Sequence, residues 1–176
     1  MIGPRTTSSL RVPAFLLLVA AGCSDASKEP SSSSSSAAIP ERYWLTQPPA
    51  APSSVFEARE RAGSAEPAEV VVAGRVSGLV DGRAQLRLTD ASFTPCDERP
   101  GDSCRTPWDY CCEPPDELAR GTVVVEVHED GRLAKASVAG FHGLELLSEV
   151  VVTGTATRDE AGNVTVVATG IHVAGA

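Results

Sequence analysis

Residues 69–89 have the sequence EVVVAGRVSGLVDGRAQLRLT, and this stretch decides the fold. Its first part, residues 69–77, is rich in β-branched side chains, which favour strands. In residues 84–89 apolar and polar side chains alternate, as they do in a strand with one buried face. Asp81-Gly82 lies between the two runs and is a strong signal for a tight turn. The stretch therefore predicts a β-hairpin.

The chain beyond this hairpin continues mostly in strands. The same criteria of β-branched runs and turn residues apply there. In chain order the predicted elements are a third strand over residues 122–129 with its return over 133–138, a short helix over 140–147, and a last hairpin of 150–158 and 164–173.

This order of elements resembles that of an OB-fold, a small five-stranded Greek-key barrel with a helix between its third and fourth strands. Gly74, Gly154 and Gly170 lie inside predicted strands, where glycine suits bulges and barrel corners. We therefore predict an all-β fold, with the barrel formed by residues 67–176. A small β-sandwich is the alternative, because short strands joined by hairpin turns do not by themselves require closure.

The N-terminus has the features of a targeting segment. Residues 1–22 contain Arg5 and Arg11 in their first half, continue in an apolar run over 12–21 and end in the small residues Ala20-Ala21-Gly22. The apolar run is too short to span a bilayer, which takes about 20 residues. With Cys23 these residues resemble the lipobox of bacterial lipoproteins, which implies a signal peptide cleaved before Cys23 and lipid on that cysteine. Ser24 favours the periplasmic face of the outer membrane.

The segment behind Cys23 is rich in serine, proline and alanine, a composition that cannot bury enough apolar surface to fold. We predict a disordered tether over residues 23–54 with a mean reach of about 30 Å. The apolar patch Tyr43-Trp44-Leu45 is expected to dock loosely on the domain, and a partner-docking motif is the alternative. Ser54 and Glu57 have capping-box spacing and predict a short helix over 55–62, followed by a linker to residue 66.

Residues 90–117 interrupt the β pattern between the second and third strands. They contain eight acidic and two basic residues and four of the five cysteines, Cys96, Cys104, Cys111 and Cys112. An even, clustered set in an exported chain predicts two disulfides of unknown connectivity. A zinc or copper site and a redox role are the alternatives. Neither matches a familiar spacing, because a Cys-x-x-Cys pair is absent from the sequence.

The tether, the β domain and the segment Trp108-Asp109-Tyr110-Cys111-Cys112 resemble a family of uncharacterised exported bacterial lipoproteins. The resemblance covers most of the chain after Val70. It implies location and architecture and supplies no activity.

Charge and motifs narrow the function. Residues 68–176 contain seventeen acidic and nine basic residues, and this acidity disfavours nucleic-acid binding. We find no catalytic motif around His128, His142 or His172, and we expect no enzyme activity, cofactor or metal. The sequence predicts a non-catalytic binding or adaptor module for an envelope protein or glycan, with Trp108, Asp109 and Tyr110 as candidate binding residues. The alternative is a metal- or redox-handling lipoprotein that uses the four clustered cysteines.

Overall fold

The structure is a computed structural model that describes residues 37–63 and 66–176. The predicted signal peptide, Cys23 and the first part of the tether lie outside the described residues. The described residues form two α-helices and nine strands: β1 Ala37–Ala38, α1 Val55–Arg61, β2 Ala68–Leu79, β3 Gln85–Thr89, α2 Pro115–Arg120, β4 Thr122–Glu126, β5 His128–Glu129, β6 Arg132–Leu133, β7 Ala136–Ser137, β8 Glu149–Arg158 and β9 Val164–Val173.

The five long strands close into a barrel in the order β2-β3-β4-β9-β8, with β8 returning to pair with β2. All neighbours are antiparallel except β4 and β9, which run parallel. This confirms the predicted all-β, OB-fold-like barrel and excludes the sandwich, because a sandwich leaves its two sheets open. The alternating side chains of the strands fill the interior, and the fully buried ones include Val72, Val76, Leu88, Val125, Val152 and Val166.

Two of the strand glycines lie where backbones approach closely. A Cβ atom on Gly154 would lie 2.3 Å from the carbonyl oxygen of Val167, and one on Gly74 would lie 2.6 Å from that of Thr89. The register between β8 and β9 shifts between Thr153 and Gly154, as at a β-bulge. These glycines therefore allow the strands to bend and pack where a side chain would hold them apart.

The predicted helix over residues 140–147 is wrong. The segment forms only a single 3-10 turn, Phe141–Gly143, followed by irregular chain. Four of its residues have positive φ angles: Gly140 at 80°, His142 at 45°, Gly143 at 77° and Leu147 at 66°. A right-handed helix requires negative φ throughout, so these angles exclude it.

Residues 37–54, which we call the strap, are ordered against the barrel, so the predicted tether cannot extend to residue 54. β1 pairs in parallel with β7. The Tyr43 hydroxyl donates to the carbonyl oxygen of His128 at 2.6 Å, and Leu45 N–H donates to that of Ile171 at 2.9 Å. The expected docking of Tyr43, Trp44 and Leu45 is therefore part of a longer contact along the barrel.

The helix expected over residues 55–62 is confirmed as α1. Ser54 caps it with the predicted capping box, and Val55 and Ala58 are buried beneath it. Arg59 donates to the carbonyl oxygens of Thr122 and Gly162, at 2.7 and 2.9 Å, so α1 is fastened over one end of the barrel. Within the described residues, no helix has the length and apolar character needed to cross a bilayer.

Candidate functional site: the cysteine loop

The connection between β3 and β4, residues 90–121, forms a structured loop that we call the cysteine loop. It contains a 3-10 turn, Cys96–Glu98, and ends in α2, which was not predicted. Its two arms are joined by backbone hydrogen bonds from Cys96 N to Asp109 O at 2.9 Å and from Asp97 N to Pro107 O at 2.8 Å. This pairing places Cys96 opposite the adjacent cysteines Cys111 and Cys112.

Two arginines hold the cysteine loop in place. Arg75 of β2 is four-fifths buried and donates to Glu98 at 2.7 Å, which ties the loop to the barrel. Arg99 pairs with Glu113 across the loop, and Glu113 also accepts from Thr94 N–H at 3.1 Å. These contacts explain how a long, acidic loop with few apolar residues remains ordered.

The cysteine sulfurs meet inside this loop. Cys111 Sγ lies 3.3 Å from Cys96 Sγ and 3.1 Å from Cys104 Sγ, and the three sulfurs all lie within 4.8 Å of one another. Cys112 Sγ lies within the same distance of Cys96 Sγ and of a carboxylate oxygen of Asp102. The four are thiols in the structure, and none of the described cysteines has an S–S bond. The structure thus brings the predicted set together but does not show the two disulfides.

The thiol contacts change the acidity of the cysteines in opposite directions. The pKa of Cys111 is raised far above its usual range, because its thiol is hydrogen-bonded to the sulfurs of Cys104 and Cys96. Burial acts to raise the pKa of Cys96, but the hydrogen bonds from Cys111 and Cys104 outweigh it and lower that pKa. The contacts among the sulfurs thus shift the pKa values of Cys96 and Cys111 apart.

The three candidate binding residues have different surroundings. Trp108 is 42% exposed and Asp109 is exposed, whereas Tyr110 is buried at 2% exposure. Tyr110 therefore anchors the loop, and its side chain is too buried to contact a partner directly. It lines one side of a cleft of about 250 Å³ between the loop and β2, β3 and β4, along with Thr89 and Leu118.

The histidines of the chain lie along or beside the strap, a grouping that sequence reasoning missed. His142 stacks on Trp44 with ring centroids 4.0 Å apart, and its Nε2 lies 2.8 Å from a Glu41 carboxylate oxygen. His172 Nδ1 lies 2.8 Å from the carbonyl oxygen of Leu45. These partners are separated by 101 and 127 residues in sequence, so no local pattern could have indicated them.

Neither a comparison with protein-family models nor a search among curated proteins found a match for this chain.

The two tyrosines provide a test of how the loop is held. Tyr110 Oη is the one buried side-chain polar atom without a hydrogen-bond partner in the part of the chain that the structure describes. Because a desolvated, unpaired hydroxyl is costly, we expect Tyr110→Phe to leave the free energy of unfolding unchanged or to raise it by up to about 1 kcal/mol.

Tyr43→Phe is the matched control, because the Tyr43 hydroxyl has a partner at 2.6 Å. Loss of that bond is expected to destabilise the protein by about 1 kcal/mol. Urea unfolding of both variants measures the difference. Equal destabilisation of the two would contradict the unpaired state of Tyr110.

Proposed function

We propose that the protein is a lipid-anchored, non-catalytic binding module of the cell envelope, with the cysteine loop as its binding surface. The targeting pattern before Cys23 supports the export and the anchor. The acidity of residues 68–176 makes nucleic acid an unsuitable ligand, because binding its phosphates requires basic side chains.

The observation that carries this proposal is the contrast between the barrel and the loop. Valine and leucine side chains fill the barrel interior, so it offers no space for a ligand. The cysteine loop is instead fastened to the barrel at Arg75 and still exposes Trp108. Exposed tryptophans on an ordered support are typical centres of binding interfaces. The barrel thus serves as a rigid base that presents the loop.

Site-specific photo-crosslinking in the native envelope tests the binding surface. A photoreactive residue in place of Trp108 is expected to give one discrete adduct. Val80 lies in the β2–β3 turn, is similarly exposed at 38%, and provides the matched control position, where we expect no such adduct. The proposal fails if neither position gives an adduct, or if both give the same one.

Fractionation tests the anchor independently. We expect the wild-type chain to sediment with outer-membrane vesicles and Cys23→Ser to move into the soluble fraction, because the lipid attachment is lost. Incorporation of labelled fatty acid into Cys23→Ser at the wild-type level would exclude Cys23 as the anchor.

The grouping of the thiols favours a second candidate function, metal handling through the cysteine loop. The sulfurs of three cysteines from separate positions in the loop lie within 4.8 Å of one another. A loop stabilised only by its ion pairs would not require this grouping of sulfurs.

A further inference from the structure

The central sulfur of the cluster belongs to Cys111, and it contacts two other sulfurs at once. The distances are 3.3 Å to Cys96 Sγ and 3.1 Å to Cys104 Sγ. A sulfur can form a disulfide with only one partner, and each contact is more than 1 Å longer than that bond, which measures about 2.05 Å. Pairing Cys111 with either neighbour would leave the other thiol without its present partner.

One metal ion can instead use all three sulfurs. Zinc lies about 2.3 Å from thiolate sulfur, which places the sulfurs of a tetrahedral site about 3.8 Å apart. The two observed contacts, at 3.3 and 3.1 Å, need to widen by about 0.5 and 0.7 Å to reach that spacing. Soft thiolate ligands select zinc and copper(I) over harder ions such as magnesium and calcium. The described part of the chain brings no histidine into this group.

The surroundings of the cluster leave it accessible from one side. Cys96 is buried, Cys104 is half-buried and Cys111 is exposed, so the sulfurs line a path from the interior to solvent. Asp102 and Cys112 lie within 4.8 Å of Cys96 Sγ, and the Asp102 carboxylate places negative charge beside the centre. Asp102 also accepts from Cys104 N–H at 3.1 Å, which fixes that arm of the loop.

We propose that Cys96, Cys104 and Cys111 bind one thiophilic metal ion, zinc or copper(I), as three thiolates. This inference rests on the proposed function, because it names the ligand class of the same loop. Each thiol loses its proton to solvent as its sulfur coordinates, and no electron is transferred. Protons compete with the metal for the sulfurs, so the affinity falls as the pH is lowered.

Metal titration of the full chain tests the proposal. The chain carrying Cys23→Ser is used, so that the fifth thiol and the predicted lipid are absent. It is reduced, freed of metal and titrated anaerobically with Zn²⁺ and, in a separate arm, with Cu(I). Cobalt(II) in place of zinc adds a thiolate-to-metal charge-transfer band in the near ultraviolet. We expect one ion per chain in at least one arm, with that band appearing on cobalt addition.

Two neighbouring cysteines provide matched variants. Cys111→Ser removes the sulfur that contacts both others. Loss of a residue that only supports a metal ligand costs up to about 100-fold in affinity, so loss of this ligand is expected to weaken binding by more than about 100-fold. Cys112→Ser changes the adjacent exposed cysteine and is expected to weaken binding by about 10-fold. Equal losses in the two variants would overturn the choice of ligands.

The state of the cysteines in the native protein provides a second test. Protein isolated from the envelope without reductant is expected to retain the metal, with Cys96, Cys104 and Cys111 as its thiolate ligands. A mass lower by four hydrogens, with no bound metal, would show two disulfides and overturn the proposal. Crosslinking at residue 108 and membrane fractionation are unaffected by that result, so failure of the metal site and failure of the binding module can be distinguished.

Discussion

Gly154→Val is expected to reduce the free energy of unfolding by about 4 kcal/mol. A Cβ atom at this position would lie 2.3 Å from Val167 O, 2.9 Å from Val167 C and 3.0 Å from Ala168 Cα. All three are backbone atoms of β9, which cannot rotate away as a flexible side chain could. The substitution must therefore separate β8 from β9 at the bulge where their register shifts.

The control for this prediction is Gly63→Val. A Cβ atom on Gly63 meets no atom within 4 Å, so the same substitution there is expected to change stability by less than about 0.5 kcal/mol. Urea unfolding followed by far-ultraviolet circular dichroism measures both variants. If Gly154→Val is as stable as Gly63→Val, the close approach of β8 and β9 is incorrect.

Asp90→Ala is expected to destabilise the protein by about 3 kcal/mol. Asp90 is 5% exposed and is one of three buried polar residues in the part of the chain that the structure describes. One carboxylate oxygen accepts from Val55 N–H at 2.8 Å, at the start of α1, and the other accepts from Ser92 N–H at 3.0 Å. Without the carboxylate, two backbone donors near the interior lose their acceptor.

Two variants separate the loss of these hydrogen bonds from a general effect of removing an acid. Asp90→Asn keeps the shape and one acceptor and is expected to recover part of the lost stability. Asp116→Ala removes an exposed carboxylate that lies 3.8 Å from Arg120 and is expected to cost less than about 0.5 kcal/mol. If Asp90→Ala and Asp116→Ala unfold at the same urea concentration, Asp90 does not secure α1 to the barrel.

The barrel could be predicted because its signals are local. The hairpin around Asp81-Gly82 and the alternation in residues 84–89 specify strands without knowledge of distant partners. The same local rules failed at residues 140–147. There Phe141, Leu144 and Leu147 have helical spacing, but the backbone adopts positive φ at Leu147 and at three other positions of the segment. The spacing of apolar residues indicates which side chains face the interior. It does not indicate the backbone angles of the segment that carries them.

The strap and the sulfur cluster depend on distant contacts, and this limited their prediction. Serine and proline in residues 24–54 indicated a tether, yet its second half is held by contacts to Val71 and Ile171. The four cysteines were recognised as one set, but the meeting of three sulfurs depends on how the arms of the cysteine loop pair. The attachment of the loop to the barrel in turn depends on Arg75, a residue of β2 whose role the sequence does not indicate.

The closure of the barrel has a consequence for the order in which the protein can fold. Residues 68–75 of β2 pair with residues 149–156 of β8, and Leu45 in the strap bonds to Ile171 near the C-terminus. A chain that emerges N-terminus first delivers β2 long before β8, and such distant pairings form slowly. Along the proposed export route, the barrel would therefore stay open during translocation and close only once β8 and β9 had crossed. Truncation before β8 would leave β2 with a permanently unpaired edge, which is a template for aggregation.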